Sequence, residues 1–303
     1  MLLEHIVTAE EDGLTLRQLL RGPMALSGRQ TREARQGAVT VDAAPFFFNQ
    51  PVRTGMVVRV ALAGYDGGQA QQSAPPVQIL YEDEALIAVH KPAMLQCHPS
   101  PSAPGSSDTL EGRVSAYLGA CAHPVHRLDS ETTGIVLFAK LPYVQAHLQQ
   151  QMQRGSFVKD YEAWVLGTPA PAEGAIDAPI AREHPDSFTR IVSPAGQRAV
   201  SRYRTLRSVS LNGGEVASLL SLSPVTGRTH QLRVHMAHIG CPILGDARYA
   251  TPCSRAVSAR LGLARQQLAA VSLRFVHPIT GQSVCVRCAP AFDLQPAFEP
   301  DCP

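Results

Sequence analysis

A polar, charged turn, His126-Arg127-Leu128-Asp129-Ser130-Glu131-Thr132-Thr133-Gly134, stands directly before the apolar run 135–139. A buried strand holds such a turn rigidly while the turn still reaches solvent, which is the placement that chemistry at the Asp129 carboxylate would need. The bland use of the same aspartate is to close a turn or cap a helix. His230, His235 and His238 could suggest a metal, but on a helix only His235 and His238 share a face, and this geometry argues against a site. Cys285 and Cys288 form the only CxxC, in a segment that reads as a strand and would point the two thiols to opposite sides. The phosphate-binding glycine loops, the HExxH zinc motif and the GxSxG nucleophile elbow are all absent, which removes most support for nucleotide hydrolysis, zinc proteolysis and serine hydrolysis.

The elements that must position Asp129 belong to a chain of 303 residues, 45% hydrophobic, long enough for about two domains. Residues 64–76 switch to Gly, Gln, Ser and Pro, and are expected to form the linker (64–77) between a module at 1–63 and a larger domain at 78–295. In the module, residues 15–20 and 27–35 read as short helices, the second capped by Ser27, and 38–41 and 56–62 as strands. Residues 13–60 carry seven arginines against Glu33 and Asp42, and Arg29, Arg32 and Arg35 recur on one helix face. That face suits phosphate as well as plain solvent.

Downstream, 77–81 and 85–89 read as a strand pair, 108–118 as a helix opened by Asp108 or Thr109, and 142–154 as a helix with Pro142 at its start and Gly155 beyond its end. Strands are expected at 160–166, 200–207, 215–222, 268–275 and 283–289, with a hairpin at Asn212-Gly213-Gly214 and a helix at 230–239. Strands outnumber helices without βαβ alternation, so the expected class is α+β with a mixed, largely antiparallel sheet. Seven cysteines, an odd number, fit free thiols in a reducing cytoplasm. No apolar run of about 18 residues and no leader-like N-terminus occurs, which argues against membrane insertion or secretion.

The turn at Asp129 also resembles a family signature. His126-Arg127-Leu128-Asp129, two further residues, Thr132-Thr133-Gly134 and the strand ending Phe138-Ala139-Lys140 are similar to the signature of RluA-type pseudouridine synthases. Four more segments match in order: Leu80-Tyr81-Glu82-Asp83 with His90-Lys91-Pro92-Ala93; Lys159-Asp160-Tyr161; Thr226-Gly227-Arg228-Thr229-His230-Gln231-Leu232-Arg233-Val234-His235 with Pro242-Ile243-Leu244-Gly245-Asp246; and Phe275-Val276-His277-Pro278-Ile279-Thr280-Gly281. His90, Met94 and Ala269 stand where relatives have Asn, Gly and His. The N-terminal module resembles an S4 RNA-binding domain.

The resemblance implies isomerisation of uridine within ribosomal or transfer RNA with no cofactor; a metal is not expected from the histidine geometry, and a monomer is the default expectation, since RNA could bind across one catalytic cleft with the basic module as a second grip. The resemblance also implies that Asp129 is the essential carboxylate, Arg228 its guanidinium partner and Tyr161 a residue packed on the target base. It further implies that Arg127 fills the stack left by an extruded nucleotide. Lys91 and Arg233 follow as phosphate-binding or supporting residues, with Arg29, Arg32 and Arg35 as a second grip. The competing reading is an RNA-binding protein of the same ancestry without catalysis.

Overall fold

A computed structural model describes residues 2–24, 26, 28–34, 38–61, 75–99 and 108–294. Residues 2–61 build a small layer of their own. Strands β1 (Leu2–Ile6), β2 (Val39–Val41) and β3 (Val57–Ala61) pair antiparallel in the order β1-β3-β2, with helices α1 (Leu16–Arg21) and α2 (Gly28–Glu33) between β1 and β2. Thr15 opens α1 with a capping box to Gln18, which satisfies two otherwise orphaned backbone donors. The expected cap Ser27 and residue Arg35 lie outside the described residues. Strand β1 was missing from the sequence expectation, because its alternation is short and only its pairing with β3 makes it a strand.

The larger sheet is mixed and largely antiparallel. In chain order its strands are β4 (Gln78–Glu82), β5 (Leu86–Lys91), β6 (His123–Pro124), β7 (Thr133–Ala139), β8 (Val158–Leu166) and β9 (Glu173–Asp177). After a small separate hairpin, β10 (Ile180–Arg182) and β11 (Arg190–Val192), come β12 (Val200–Ser210), β13 (Val216–Pro224), β14 (Leu268–Val276) and β15 (Ser283–Arg287). The spatial order is β4-β5-β7-β14-β8-β13-β12-β9, with β15 on β14 and β6 on β7, and β14 with β7 is the parallel pair. Helices α3 (Leu110–Leu118, capped by Thr109), α4 (Pro142–Arg154), α5 (Gln231–His238) and α6 (Pro252–Arg260) complete the layer. Helix α4 has the bounds that Pro142 and Gly155 foretell, Gly155 taking the left-handed conformation at the cap. Strands β9 to β11 and helix α6 were not foreseen, since the strands have only three to five residues and α6 is largely polar, so each carries little periodic signal.

The apolar cluster of the small layer, including Leu16, Leu19, Val58 and Val60, continues into Leu137, Tyr143 and Phe275 of the larger unit. His147 of α4 adds a contact of 2.9 Å between its Nε2 and the Met24 carbonyl. Two of the sequence matches prove to be one structural joint. Asp83 accepts the backbone N–H groups of Ala85 and Leu86 and the hydroxyl of Tyr81, and it takes a further bond from His277 Nε2 at 3.0 Å. Nδ1 of that ring accepts from Ile279 and Thr280. Burial works against the Asp83 charge, but these donors outweigh it and hold the carboxyl below the usual carboxylate range. The joint ties the β4–β5 turn to the β14–β15 turn.

Gly134, two residues past the Thr132 turn, has φ of 111° and lies where β7 meets β14. A Cβ there would stand 2.1 Å from the Ala270 carbonyl oxygen. Gly134→Ala therefore combines a forbidden dihedral with a backbone clash and is expected to cost about 3 kcal/mol or more. Chemical denaturation of the two proteins measures this, and an unchanged midpoint would mean that β7 can slide without penalty.

Candidate active site

Asp129 lies five residues upstream of Gly134, and its loop is stitched in place from below. Lys91, fully buried at the end of β5, donates to the carbonyls of Pro92, Leu95 and Ser130 at 2.6 to 2.8 Å. Cys97 spans the neighbouring residue, its Sγ accepting the Leu128 N–H at 3.2 Å and reaching the Leu128 carbonyl at 3.3 Å. The Asp129 carbonyl accepts from Thr132 N, and the Thr132 hydroxyl accepts from Gln266, itself buried. His126 takes the Leu137 N–H on Nε2, and its burial, with Lys159 nearby, drives the imidazole down to about 3, so that it is neutral.

The carboxylate itself is partly exposed and engaged on one oxygen. Arg233 Nη1 donates to Asp129 Oδ2 at 3.2 Å, and His230 Nε2 lies 3.8 Å from the same atom. Oδ1 makes no hydrogen bond among the described residues. The other edge of Arg233 is clamped by Asp246, with Nε to Oδ2 at 2.7 Å and Nη2 to Oδ1 at 2.8 Å. Burial opposes the Arg233 charge, yet Asp246 and Asp129 together raise its pKa above the ordinary arginine value. For His230, burial outweighs the pull of Asp129 and lowers the pKa to about 4, so this ring brings no positive charge to the site at neutral pH.

Cavities open on both sides of Asp129. One, of about 550 Å³, is bordered by Gln96, His98, Arg127, Glu131 and Arg248; the other, of about 300 Å³, by Lys159, Tyr161, Met152, Gly227, Arg228 and Leu268. Arg127, Leu128, Asp129, His230 and Arg233 belong to both and form the divide. Tyr161 and Leu222 face each other across β8 and β13 on the cleft side, and the Tyr161 hydroxyl makes no hydrogen bond among the described residues. Burial, with the Asp129 charge adding to it, raises the Tyr161 pKa, so the side chain is a neutral phenol. Lys159 sits two residues before Tyr161, on the same face of β8, and burial lowers its pKa.

The segment around Arg228 is fixed from within. Gln231 accepts the Thr226 hydroxyl at 2.7 Å and the Arg228 N–H at 3.0 Å, and donates to the Val200 carbonyl and Ser201 Oγ. Buried His235 completes the net, with Nδ1 on Ser201 Oγ and Nε2 on the Ala178 carbonyl.

Comparison with known proteins decides what this arrangement is. The sequence model of the RNA pseudouridylate synthase family matches residues 85–238, about half of the chain. An uncharacterized RNA pseudouridine synthase of Bacillus subtilis, YhcT, is 31% identical over 93% of this chain and 91% of its own. Ribosomal large subunit pseudouridine synthase D of Nitrosomonas europaea is 37% identical over 82% of this chain and 72% of its own. This chain belongs to the RNA pseudouridine synthase family. Among solved structures, human RNA pseudouridylate synthase domain containing 4 aligns with a TM-score of 0.56 and 26% identity over 71% of this chain and 88% of that one. The corresponding human domain containing 1 shares the fold, with a TM-score of 0.59 at 23% identity over 73% and 86%. As an RNA pseudouridine synthase, the protein isomerises uridine in RNA.

Set against this synthase site, the sequence expectations divide. Asp129 and Tyr161 border one cavity, with Arg127 exposed beside them and without an ion pair among the described residues. Arg228, expected beside the carboxylate, is instead exposed at the rim and donates through Nε to the Arg198 carbonyl at 3.1 Å. Arg233 has the carboxylate because it lies one turn inside α5, whose start faces Asp129, whereas Arg228 precedes the helix. Of the two uses expected for Lys91, phosphate binding or support of the site, the three carbonyls that enclose its ammonium fit support. Lys159, His230 and Asp246 were within quoted motifs but received no role. The signal for Lys159 was its i, i+2 spacing from Tyr161.

Met94, where relatives have Gly, adopts a left-handed φ of 62° and stays exposed, so the backbone conformation survives the substitution. Ala269 pairs with Glu162 on β8, one residue out of phase with Tyr161, and therefore points to the sheet face away from the cleft. Its loss of the relatives' histidine leaves the cavity wall unchanged. Arg32 is exposed on α2, which also carries Arg29.

Arg233→Lys keeps a charge but loses the planar fork that reaches two carboxylates, and kcat is expected to fall roughly 100-fold. Arg228→Lys is expected to act mainly on KM. Steady-state kinetics on one RNA substrate compares them, and a larger kcat loss for Arg228→Lys would restore that residue as the partner of Asp129.

Proposed function

We propose that this synthase acts on uridines of ribosomal or transfer RNA with Asp129 as the nucleophile or sugar-proton acceptor and Arg233 as the group that orients it. The observation that carries this reading is the half-engaged carboxylate: Oδ2 is taken by Arg233, while Oδ1, at the divide between two cavities, makes no hydrogen bond among the described residues. The isomerisation breaks the N1–C1′ bond, joins C1′ to C5, and moves a proton from C5 to N1, so composition and oxidation state are unchanged and no cofactor is required. An ionised carboxylate fits attack at C1′ or removal of a ribose proton.

A uridine held in a stack cannot bring C1′ and C5 to Asp129, and extrusion costs about a few kcal/mol. Exposed Arg127 on the divide fits the role of filling the vacated position, because a guanidinium plane stacks on bases. Tyr161, kept as a neutral phenol, suits packing against the base better than removing the C5 proton. The names of the Nitrosomonas and other bacterial relatives favour ribosomal RNA as the substrate class. The S4-like module at 1–63, with Arg29, Arg32 and Arg35, would grip flanking RNA from a monomer working in the cytoplasm.

Tritium release from RNA labelled at uridine C5, taken from a strain lacking this protein, tests the chemistry. Release by wild type and none by Asp129→Asn is expected, with RNA binding retained by both. Silence from wild type while RNA is bound would favour the non-catalytic reading.

Replacing Arg29, Arg32 and Arg35 with Gln in the full chain should flatten the salt dependence of RNA binding, by roughly 0.7 in the log–log slope for each phosphate no longer neutralised. Equal slopes, measured by filter binding across a salt series, would remove the module from the RNA interface.

A further inference from the structure

Two bonds that no role above explains converge on Tyr249. Its hydroxyl accepts the backbone N–H of Arg190 at 3.0 Å and lies 2.8 Å from Nδ1 of His230. A phenol has one O–H, and with Arg190 as donor that O–H is left for Nδ1. Nδ1 is then the acceptor, and the hydrogen of the neutral ring sits on Nε2, the nitrogen 3.8 Å from Asp129 Oδ2. The opposite tautomer would turn a lone pair toward the carboxylate and repel it. His230 holds a left-handed backbone, φ 58°, rare for a residue with a side chain, and this fixes where its ring can point.

The ring of Tyr249 does a second job. The Arg233 guanidinium lies over it, 5.0 Å from the centroid, and the Tyr249 N–H is bonded to Asp246 Oδ1, the carboxylate that clamps Arg233. One residue thus touches both groups that reach Oδ2. Tyr249 is half-buried in the loop between α5 and α6 and also packs on the small apolar cluster of Ile180, Ala199 and Val234.

We propose that Tyr249 is a positioning residue for the isomerisation: its hydroxyl selects the Nε2–H tautomer of His230 and its ring seats Arg233, so that Oδ2 is fixed and Oδ1 is presented to the ribose. This rests on Asp129 being the reacting carboxylate. Tyr249→Phe keeps the ring and removes only the hydroxyl. Side-chain ¹⁵N spectra, with the His230 signals assigned from their loss in His230→Gln, are expected to show Nε2–H in wild type and a share of Nδ1–H in Tyr249→Phe. kcat should fall about tenfold, the scale of one hydrogen bond shielded from water, with RNA affinity and thermal midpoint unchanged. In a His230→Gln background the same substitution should have no further effect on kcat.

An unaltered tautomer in Tyr249→Phe overturns the proposal, as does an equal additional loss in the His230→Gln background, which would mean that the hydroxyl acts elsewhere. A wild-type protein that releases no tritium would sink the reading of Asp129 instead, while the spectra would still decide whether Tyr249 sets the ring.

Discussion

Everything at the centre of this protein depends on one guanidinium shared by two carboxylates. Arg233 is buried, and so is Asp246, whereas Asp129 is the member that meets solvent. A buried arginine with a single partly exposed partner would be poorly compensated, and removing one member of such a pair costs about 3–5 kcal/mol. Asp246 supplies the missing compensation with two bonds along one edge of the fork, leaving Nη1 to donate to Asp129. The Asp129 carboxylate is thereby oriented by a cation that is itself anchored to the fold.

The anchoring explains why the matched segments are spread so widely along the chain. Thr226, Gln231 and His235 form a net onto Val200, Ser201 and Ala178 that sets the start of α5 and so the direction of Arg233. Gly245 brings Asp246 into place at a φ of 76°, where a Cβ would collide with the Arg265 carbonyl at 1.9 Å. Lys91 and Cys97 brace the loop that carries Asp129. Tyr81, Asp83 and His277 join two turns far from the cleft. Most of these polar residues spend their hydrogen bonds on other parts of the fold.

Electrostatics then separates the residues by role. Burial keeps His126 and His230 neutral and Tyr161 protonated, so the positive charge beside Asp129 comes from Arg233. A second cationic neighbour on the same oxygen would stabilise the carboxylate further and weaken it as a nucleophile. Lys159 and Arg228 border the cavity without a hydrogen bond to the carboxylate among the described residues.

The sequence by itself determined the elements with strong local signals: α4 between Pro142 and Gly155, the β4–β5 and β12–β13 pairs, and the apolar strand behind Asp129. It also determined the family, because five ordered motifs are a linear property of the chain, and with the family came the expectation of roles for Asp129 and Tyr161. Only the tertiary structure decided which arginine meets the carboxylate. Arg228 and Arg233 lie five residues apart in one motif, and although the helix expected at 230–239 leaves Arg228 before it and puts Arg233 in its first turn, nothing linear shows which of the two faces Asp129. Lys91 shows the same limit, since a lysine in a motif reads as a surface cation until three carbonyls are seen to enclose it. Strands β1 and β9 and the Tyr249 contacts were likewise invisible, because each owes its conformation to a partner distant in sequence rather than to its own residues.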